Sequence, residues 1–292
     1  MQGPVAAYLD GGQRLHLQHG PIDLIVGVDT PSPGDRQIGF DAAVARFDGL
    51  LEALVAELPR LRRPLSDDLA PSFSGPVARR MTRAALPFVA EQVTPMISVA
   101  GAVADEVLGA IRTAAQPRRA YVNNGGDIAL HLAGEGAFSV AMANPAGATL
   151  GQLHIDGTSG IGGIATSGQS GRSLSLGIAE SVTVLAGCAA EADAAATLIA
   201  NAVDLPDLPG ITRAPACDIQ PDSDLGARRV VTGVPPLSDR DIAAALARGQ
   251  ARASDMCHRG LIQGAALFLQ GQSVMTGATL VQDHTGSEKH YV

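Results

Sequence analysis

The order of apolar and polar residues predicts two strands and a long helix at the start of the chain. Residues 14–19 alternate between apolar and polar side chains, and residues 22–28 form a short, mostly apolar run after a Gly-Pro turn. Both patterns are typical of strands, and the second is typical of a buried one. From residue 40 to residue 58 apolar side chains recur at helical spacing, and we expect Pro59 to end that helix.

The middle of the chain is predicted to combine helices rich in small residues with short strands. In one of these helices the run Ala100-Gly101-Ala102 would let another backbone or a ligand come close. The predicted elements, in order, are helices over 76–90 and 95–111, a strand at 121–122, a hairpin of 128–132 with 138–142, a Gly/Ser/Thr-rich functional loop over 157–177, a strand over 181–186 and a helix over 191–203.

The last part of the chain is predicted to add a helix and a hairpin. Residues 204–227 are rich in proline and aspartate and predict a long surface connection. Ser238 is the predicted N-cap of a helix over 239–256, and residues 261–276 predict a hairpin that turns at Gly271-Gln272. Together the elements predict an α+β fold, with mixed, mostly antiparallel sheets and packed helices.

The composition indicates one core and limits the classes of partner. With 292 residues, 46% of them apolar, the chain is long enough to bury a substantial core. We predict a single domain over 1–292, with N-terminal strands and a helix in 1–63, the motifs in 64–204 and a C-terminal layer in 205–292. The net charge of −8 and the 3% of aromatic residues argue against nucleic acid and an anionic membrane as partners.

Cysteine usage and the apolar runs indicate the compartment. The three cysteines form an odd set without a C-x-x-C motif, which argues against a disulfide scaffold and for reducing surroundings. No basic N-terminal segment precedes an apolar stretch, and no apolar run approaches the ~20 residues that a membrane span needs. The sequence therefore predicts a cytoplasmic protein, and it leaves the oligomeric state open.

The first of three segments with candidate chemistry is Asn123-Asn124-Gly125-Gly126-Asp127, between two predicted strands. Paired glycines let backbone N–H groups approach an anion, and Asp127 could orient the turn or reach a cofactor. The same residues suit an ordinary hairpin turn, and their spacing alone favours that simpler interpretation.

The second segment covers residues 165–173. Its hydroxyls, its backbone donors and the guanidinium of Arg172 suit a phosphate or a pyrophosphate. The segment is not a P-loop, because the G-x-x-x-x-G-K-[ST] pattern is missing. From the residues alone, a surface loop explains the segment equally well.

The third segment is the helix over 191–203, where Asp193 and Thr197 lie four residues apart and therefore on one face. A carboxylate and a hydroxyl, completed by water and phosphate oxygens, are typical ligands of Mg²⁺. Alternatively, Asp193 interacts only with the helix dipole and Thr197 faces the solvent or the core. Taken alone, the spacing favours this second interpretation.

Taken in order, these segments resemble the ApbE superfamily, and more closely its shorter, uncharacterised ApbE-like branch. The resemblance runs from about residue 21 to residue 203, and the ordered set of segments is specific. The segments that carry it are Pro95 to Ala104, Asn124-Gly125-Gly126-Asp127-Ile128, Ala165-Thr166-Ser167-Gly168, Ser173 to Gly177, Ser181 to Ala186 and Ala192 to Thr197.

The resemblance implies a cofactor and a reaction. Members of the superfamily are FAD:protein FMN transferases, which bind FAD and Mg²⁺, move FMN onto a Ser or Thr hydroxyl of an acceptor flavoprotein and release AMP. It implies Mg²⁺ bound by Asp193, Thr197 and a backbone carbonyl within 100–102, with the three segments converging on FAD or FMN. The predicted cofactor-binding residues are Asn124, Gly125, Gly126, Asp127, Thr166, Ser167, Gly168, Arg172 and Ser173.

The chain departs from the family pattern in an abbreviated N-terminal flavin-binding lobe and in two of the motifs. The family's His-x-x-Asp-Pro segment corresponds to residues 172–178, which contain neither His nor Asp-Pro, and its lysine is replaced by Ala104 or Asp105. A general base for the acceptor hydroxyl is therefore missing, and no catalytic residue is predicted, although His131 and His154 lie near the motifs in sequence.

Three functions remain open at this point. The first is Mg²⁺-dependent FMN transfer from FAD to a protein Ser or Thr. The second is a flavin- or nucleotide-binding module without transfer chemistry, and the third is a different enzyme that reuses the same pocket. The missing histidine distinguishes the first from the second, because the acceptor hydroxyl must lose its proton.

Overall fold

The computed structural model describes residues 3–66, 73–143, 149–171 and 173–277. The strands are β1 (Val5–Leu9), β2 (Arg14–His19), β3 (Ile22–Asp29), β4 (Arg119–Asn124), β5 (Asp127–Leu132), β6 (Ala137–Ala143), β7 (Thr149–Asp156), β8 (Gly163–Ser167), β9 (Ser181–Ala186), β10 (Thr212–Pro215), β11 (Arg229–Gly233), β12 (Gly264–Leu269) and β13 (Gln272–Thr276). The α-helices are α1 (Pro33–Phe47), α2 (Leu50–Leu61), α3 (Pro76–Ala85), α4 (Val99–Ala115), α5 (Ala189–Ala202), α6 (Ala216–Ile219) and α7 (Asp239–His258).

One nine-stranded sheet organises the fold, in the order β1-β2-β3-β4-β5-β8-β9-β12-β13, and every neighbouring pair is antiparallel. Helices α1, α4, α5 and α7 contribute to the main core, together with alternate strand residues such as Val184 and Leu267. The opposite face carries a smaller cluster with Leu185 and Phe268, to which the separate β6–β7 hairpin contributes Ile155. The α+β fold with mostly antiparallel sheets is therefore confirmed.

Several predicted elements are confirmed at their places in the chain. Strands β2, β3 and β9 and helices α5 and α7 lie within two residues of the predicted segments. The helix predicted over 95–111 begins as a 3₁₀ segment, Pro95–Ser98, and α4 then extends to Ala115. The side chain of Ser238 accepts a hydrogen bond from the backbone N–H of Asp241 at 3.2 Å, as expected of the N-cap of α7. The β12–β13 hairpin turns at Gln270-Gly271, one residue earlier than predicted, and both residues have a positive φ.

The long helix predicted over residues 40–58 is wrong, because the segment contains two helices, α1 and α2. They separate at Asp48-Gly49, and Gly49 has a φ of +69°, a left-handed conformation that glycine adopts without strain. Pro59 does not end α2, which continues to Leu61. A proline in the last turn removes only one hydrogen bond of the helix, so the apolar face of α2 still decides its length.

Other segments differ from the prediction in their pairing or their length. Strand β6 pairs with β7, whereas β5 lies between β4 and β8, so residues 138–142 are not the hairpin partner of β5. The helix predicted over 76–90 is α-helical only to Ala85 and continues as a 3₁₀ segment. Residues 204–227 are not only a surface connection, because they contain β10 and α6.

The loop predicted over 157–177 contains the central strand β8. Its first three residues, Gly163, Ile164 and Ala165, are buried. Gly163 lies against the backbone of Cys188 and Ala189, where a Cβ would overlap the chain. The strand was missed because a glycine-rich segment lacks the branched side chains that mark most strands, and here glycine allows close backbone packing instead.

Helices α4 and α5 cross closely at their N-terminal ends. Gly101 of α4 lies against the start of α5, where a Cβ would overlap the carbonyl group of Ala189. Asp105 of α4 accepts hydrogen bonds from the backbone N–H groups of Ala189 at 3.0 Å and Ala190 at 2.9 Å. In return, Asp193 of α5 accepts a hydrogen bond from the N–H of Gly101 at 3.0 Å. Each helix therefore supplies the carboxylate that satisfies the N-terminus of the other.

The crossing predicts opposite effects for two glycines of the same helix. Replacement of Gly101 by alanine should lower the free energy of unfolding by about 1–3 kcal/mol, because the added methyl group overlaps the backbone of α5. Gly109→Ala is the matched control: its nearest neighbour is the flexible Arg80 guanidinium at 3.7 Å, so the gain in helix propensity should leave stability unchanged or raised. Urea denaturation of both variants measures the difference, and equal effects would contradict the close crossing.

Candidate functional site

The candidate site is a cavity of about 300 Å³ beside the N-terminal end of α4. The turn between β4 and β5, the end of β8 with the loop after it, and helix α5 meet there. The residues predicted from sequence that line it are Asn124, Gly125, Asp127, Thr166, Ser167, Gly168, Ser173, Asp193 and Thr197. Gly126 belongs to the same turn, and Arg172 lies outside the described residues. Antiparallel pairing thus brings three segments that are far apart in sequence to one place.

The β4–β5 turn holds its residues by local hydrogen bonds. Gly125 and Gly126 have φ values of +66° and +114°, which glycine adopts most readily. The backbone N–H of Gly126 donates to the side-chain oxygen Oδ1 of Asn123 at 2.8 Å. The amide Nδ2 of Asn124 donates to the carbonyl oxygen of Ala100 at 3.0 Å, and this bond connects the turn to the first turn of α4.

The second segment leaves the sheet at a constrained glycine. Gly168 has a φ of +135°, and a Cβ at this position would come within 2.6 Å of the carbonyl oxygen of Glu180. Before it, the hydroxyl groups of Thr166 and Thr183 lie 3.0 Å apart across β8 and β9. The loop therefore brings the hydroxyl and backbone groups of Ser167 and Gly168 to the cavity wall in one defined conformation.

Helix α5 contributes the acidic part of the site. Asp193 and Thr197 are both half-buried and line the cavity one helical turn apart. Burial raises the pKa of the Asp193 carboxyl well above its usual value of 3.8, and the neighbouring charges of Asp127 and Asp105 add to this effect. The backbone hydrogen bond from Gly101 acts in the opposite direction. The cavity thus holds two carboxylates whose charges repel each other.

The donor set fits a hard divalent cation. Among the described residues no group of three or more His, Cys, Asp or Glu side chains could hold a metal ion. Mg²⁺, however, is usually held by only one or two carboxylates together with water and substrate phosphate oxygens. Asp193, Asp127 and the Thr197 hydroxyl supply such oxygens, and a cation there would relieve the repulsion between the two carboxylates.

Residues outside the prediction complete the wall. Pro21, Ile22, Val99 and Val103 give the cavity an apolar side, and Ala100 contributes the start of α4. For Val99, Ala100 and Val103 the sequence signals were the small-residue pattern of α4 and the resemblance, which implied a backbone-carbonyl ligand within 100–102. Pro21 and Ile22 carried none, because they reach the site only through the pairing of β3 with β4.

The histidines and the cysteine that lie near the motifs in sequence do not line the cavity. No described residue that lines the cavity is a histidine. His154 is exposed on β7, and Arg112 lies close enough to His131 to help lower its pKa, after the larger effect of burial. Burial and the charge of Asp105 raise the pKa of the Cys188 thiol to about 12, so this thiol stays protonated at neutral pH.

The fold and the cavity define an α+β protein with a pocket whose described lining has carboxylate, hydroxyl and backbone groups beside an apolar side. A family model described as "AbpE bacteria" matches residues 6–275 of the chain. The chain belongs to this family and, with it, to the ApbE superfamily, as the resemblance of the ordered motifs indicated. Among the described residues, no helix is both long and apolar enough to cross a membrane.

Curated relatives share part of the chain. A UPF0280 protein of Methanothrix thermoacetophila is 39% identical over 142 residues, which are 47% of this chain and 56% of that protein. A UPF0280 protein of Methanopyrus kandleri is 37% identical over 127 residues, 43% of this chain and 48% of that protein. The chain therefore spans about half the length of the curated relatives it matches.

Solved structures show a distant likeness. The ApbE protein of Thermotoga maritima is 10% identical with a TM-score of 0.48, over 89% of this chain and 96% of that chain. The flavin transferase ApbE of Vibrio cholerae, in a mutant form, is 15% identical with a TM-score of 0.46, over 90% of this chain and 97% of that chain.

The raised pKa of Asp193 predicts a pH dependence of stability. The unfolded chain releases this proton near pH 3.8, whereas the folded protein keeps it to a higher pH, so the folded state binds more protons in this window. The free energy of unfolding should therefore fall as the pH rises from 3.8 through the raised pKa. The free energy of unfolding is measured by denaturation at several pH values without divalent cations. It should vary less with pH in Asp193→Asn than in the unmodified chain, and the same pH dependence in both proteins would contradict a raised pKa at Asp193.

Proposed function

We propose that this chain binds a flavin nucleotide or a related phosphate-bearing ligand together with Mg²⁺, and that it transfers FMN poorly or not at all. The observation that carries the proposal is the convergence of the β4–β5 turn, the loop after β8 and the Asp193–Thr197 face of α5 on one cavity. Membership of the ApbE superfamily supports the class of ligand.

The binding role follows from the chemistry of the walls. Asp193, Thr197 and Asp127 would hold the cation, and the hydroxyl and backbone groups of Thr166 to Gly168 would face the phosphate oxygens. When bound, Mg²⁺ would neutralise phosphate charge, which also makes a nucleotide a better leaving group. The hydrogen bond from Gly101 holds the Asp193 carboxylate in position before a ligand arrives.

The weak transfer activity follows from the groups that could accept a proton. An acceptor Ser or Thr must lose its hydroxyl proton, and the described lining contains no histidine for this step. Among the described residues, the carboxylates that line the cavity are Asp127 and Asp193, and both would hold the cation. Loss of general-base assistance typically lowers a rate by ~10² to 10⁴.

The metal assignment predicts the effect of Asp193→Asn. In a calorimetric titration of the purified chain with FAD, Mg²⁺ should raise the FAD affinity of the unmodified protein. In the variant this Mg²⁺-dependent increase should be at least about tenfold smaller, which is the size of effect expected from changes at a metal site. The control is Asp222→Asn, which removes an exposed carboxylate that does not line the cavity. If FAD affinity were equal for all proteins with and without Mg²⁺, Asp193 would not belong to the site.

The transfer step is tested separately. The chain is incubated with FAD, Mg²⁺ and an acceptor flavoprotein domain, and covalent FMN on the acceptor is measured by mass spectrometry. We expect little or no labelling under conditions in which FAD binds, because a hydroxyl without a base reacts slowly. Efficient labelling would overturn this part of the proposal and establish a transferase, whereas the absence of FAD binding would overturn the binding role.

A further inference from the structure

A second cavity of about 690 Å³ adjoins the candidate site along helix α5. The segment before α4, the second half of α5 and the loop before β11 enclose it, and Thr197 lines both cavities. Asp193, Thr197 and Asn201 are spaced four residues apart and share one face of α5, so that this face passes from the first cavity into the second. The two cavities are therefore consecutive compartments beside one helix.

The second cavity differs from the first in charge. The described lining of the first has the carboxylates of Asp127 and Asp193 and no basic residue, whereas the second combines the arginines Arg228 and Arg252 with the carboxylates of Glu91 and Asp224. Arg252 is occupied by an ion pair with Glu91. Arg228 makes no side-chain hydrogen bond or ion pair with the described residues, so its guanidinium is available at the cavity wall.

The carboxylates of the second cavity do not neutralise Arg228. Glu91 pairs with Arg252, and Asp224 accepts a hydrogen bond from the hydroxyl of Thr94 at 2.6 Å. The side-chain oxygen of Asn201 accepts from the backbone N–H of Leu176 at 3.0 Å, which leaves its amide N–H groups as donors. Arg228 and the Asn201 amide are thus groups of the lining that have donors without a partner among the described residues, and both favour an anion, although the Asp224 carboxylate keeps its charge.

The lining of the second cavity also limits which part of a ligand it can recognise. None of the described residues that line the second cavity is aromatic, so this cavity offers no ring on which a flat base could stack. Ile97, Leu176 and Leu198 provide an aliphatic side instead. A ligand in the second cavity is therefore recognised mainly through its charge.

We propose that the ligand carries a second anionic group, such as a phosphate ester, and that Arg228 binds this group in the second cavity. The first phosphate lies at Thr166 to Gly168, beside the cation held by Asp193 and Thr197. This inference rests on the proposed function for its first phosphate. Along α5, Asn201 in the second cavity lies one turn beyond Thr197 and two turns beyond Asp193, at helical rises of about 6 and 12 Å. The substrate class is a nucleotide with phosphates at two separate positions.

Matched pairs of test ligands isolate the second phosphate. NAD⁺ and NADP⁺, and dephospho-coenzyme A and coenzyme A, differ within each pair by one phosphate on the adenosine ribose. In calorimetric titrations with Mg²⁺, the member with the extra phosphate should bind about tenfold more tightly in at least one pair, and Arg228→Ala should abolish this difference. Arg228→Lys should keep part of it, because a cation remains.

Two controls separate the possible failures. Arg248→Ala removes another exposed arginine that lines neither cavity, and it should keep the preference for the extra phosphate. Inorganic pyrophosphate with Mg²⁺ reports on the first cavity alone: its binding should be lost in Asp193→Asn and unchanged in Arg228→Ala. If pyrophosphate with Mg²⁺ did not bind to the unmodified chain, the proposed function itself would be overturned. Retained pyrophosphate binding with no preference in either pair, or a preference that persists in Arg228→Ala, would overturn only the second anion site.

Discussion

The candidate site depends on the mutual capping of helices α4 and α5. A helix N-terminus leaves backbone N–H groups without partners inside the helix, and burying them without acceptors is costly. Ser98 and Cys188, which occupy the N-cap positions of these helices, make no capping hydrogen bond with their side chains. Asp193 and Asp105 reach across from the opposite helix instead, and they reach only because Gly101 allows the two backbones to approach.

Asp193 has two roles in this arrangement. One carboxylate oxygen satisfies the N-terminus of α4, and the side chain also lines the cavity. The hydrogen bond to Gly101 fixes the carboxylate on a rigid element, which is what a binding site needs. Burial beside Asp127 makes its ionised form unfavourable, so the site is arranged to gain most from an added cation. Helix packing and ligand chemistry therefore depend on the same side chain.

The sheet supplies the rest of the site through its strand ends. The β4–β5 turn and the end of β8 come together because β5 pairs with both strands, and Asn124 ties the turn to the carbonyl of Ala100. All of these groups are fixed donors or acceptors, and the described lining contains no histidine to move a proton. The arrangement is better suited to holding a charged ligand than to acid–base chemistry.

The sequence by itself determined the α+β class and most strands and helices, because hydrophobic periodicity and caps are local signals. The segments that meet at the site were implied by the resemblance, since each segment taken alone left a simpler interpretation open or favoured it. The sequence missed the break at Gly49, where glycine adopts a left-handed conformation, and it missed β8, where glycine allows close backbone packing. Only the tertiary structure decided that Asp105 caps α5 and that α5 borders a second cavity with Arg228. Those relations join residues distant in the chain, and no local pattern records which backbones approach closely enough to share a carboxylate.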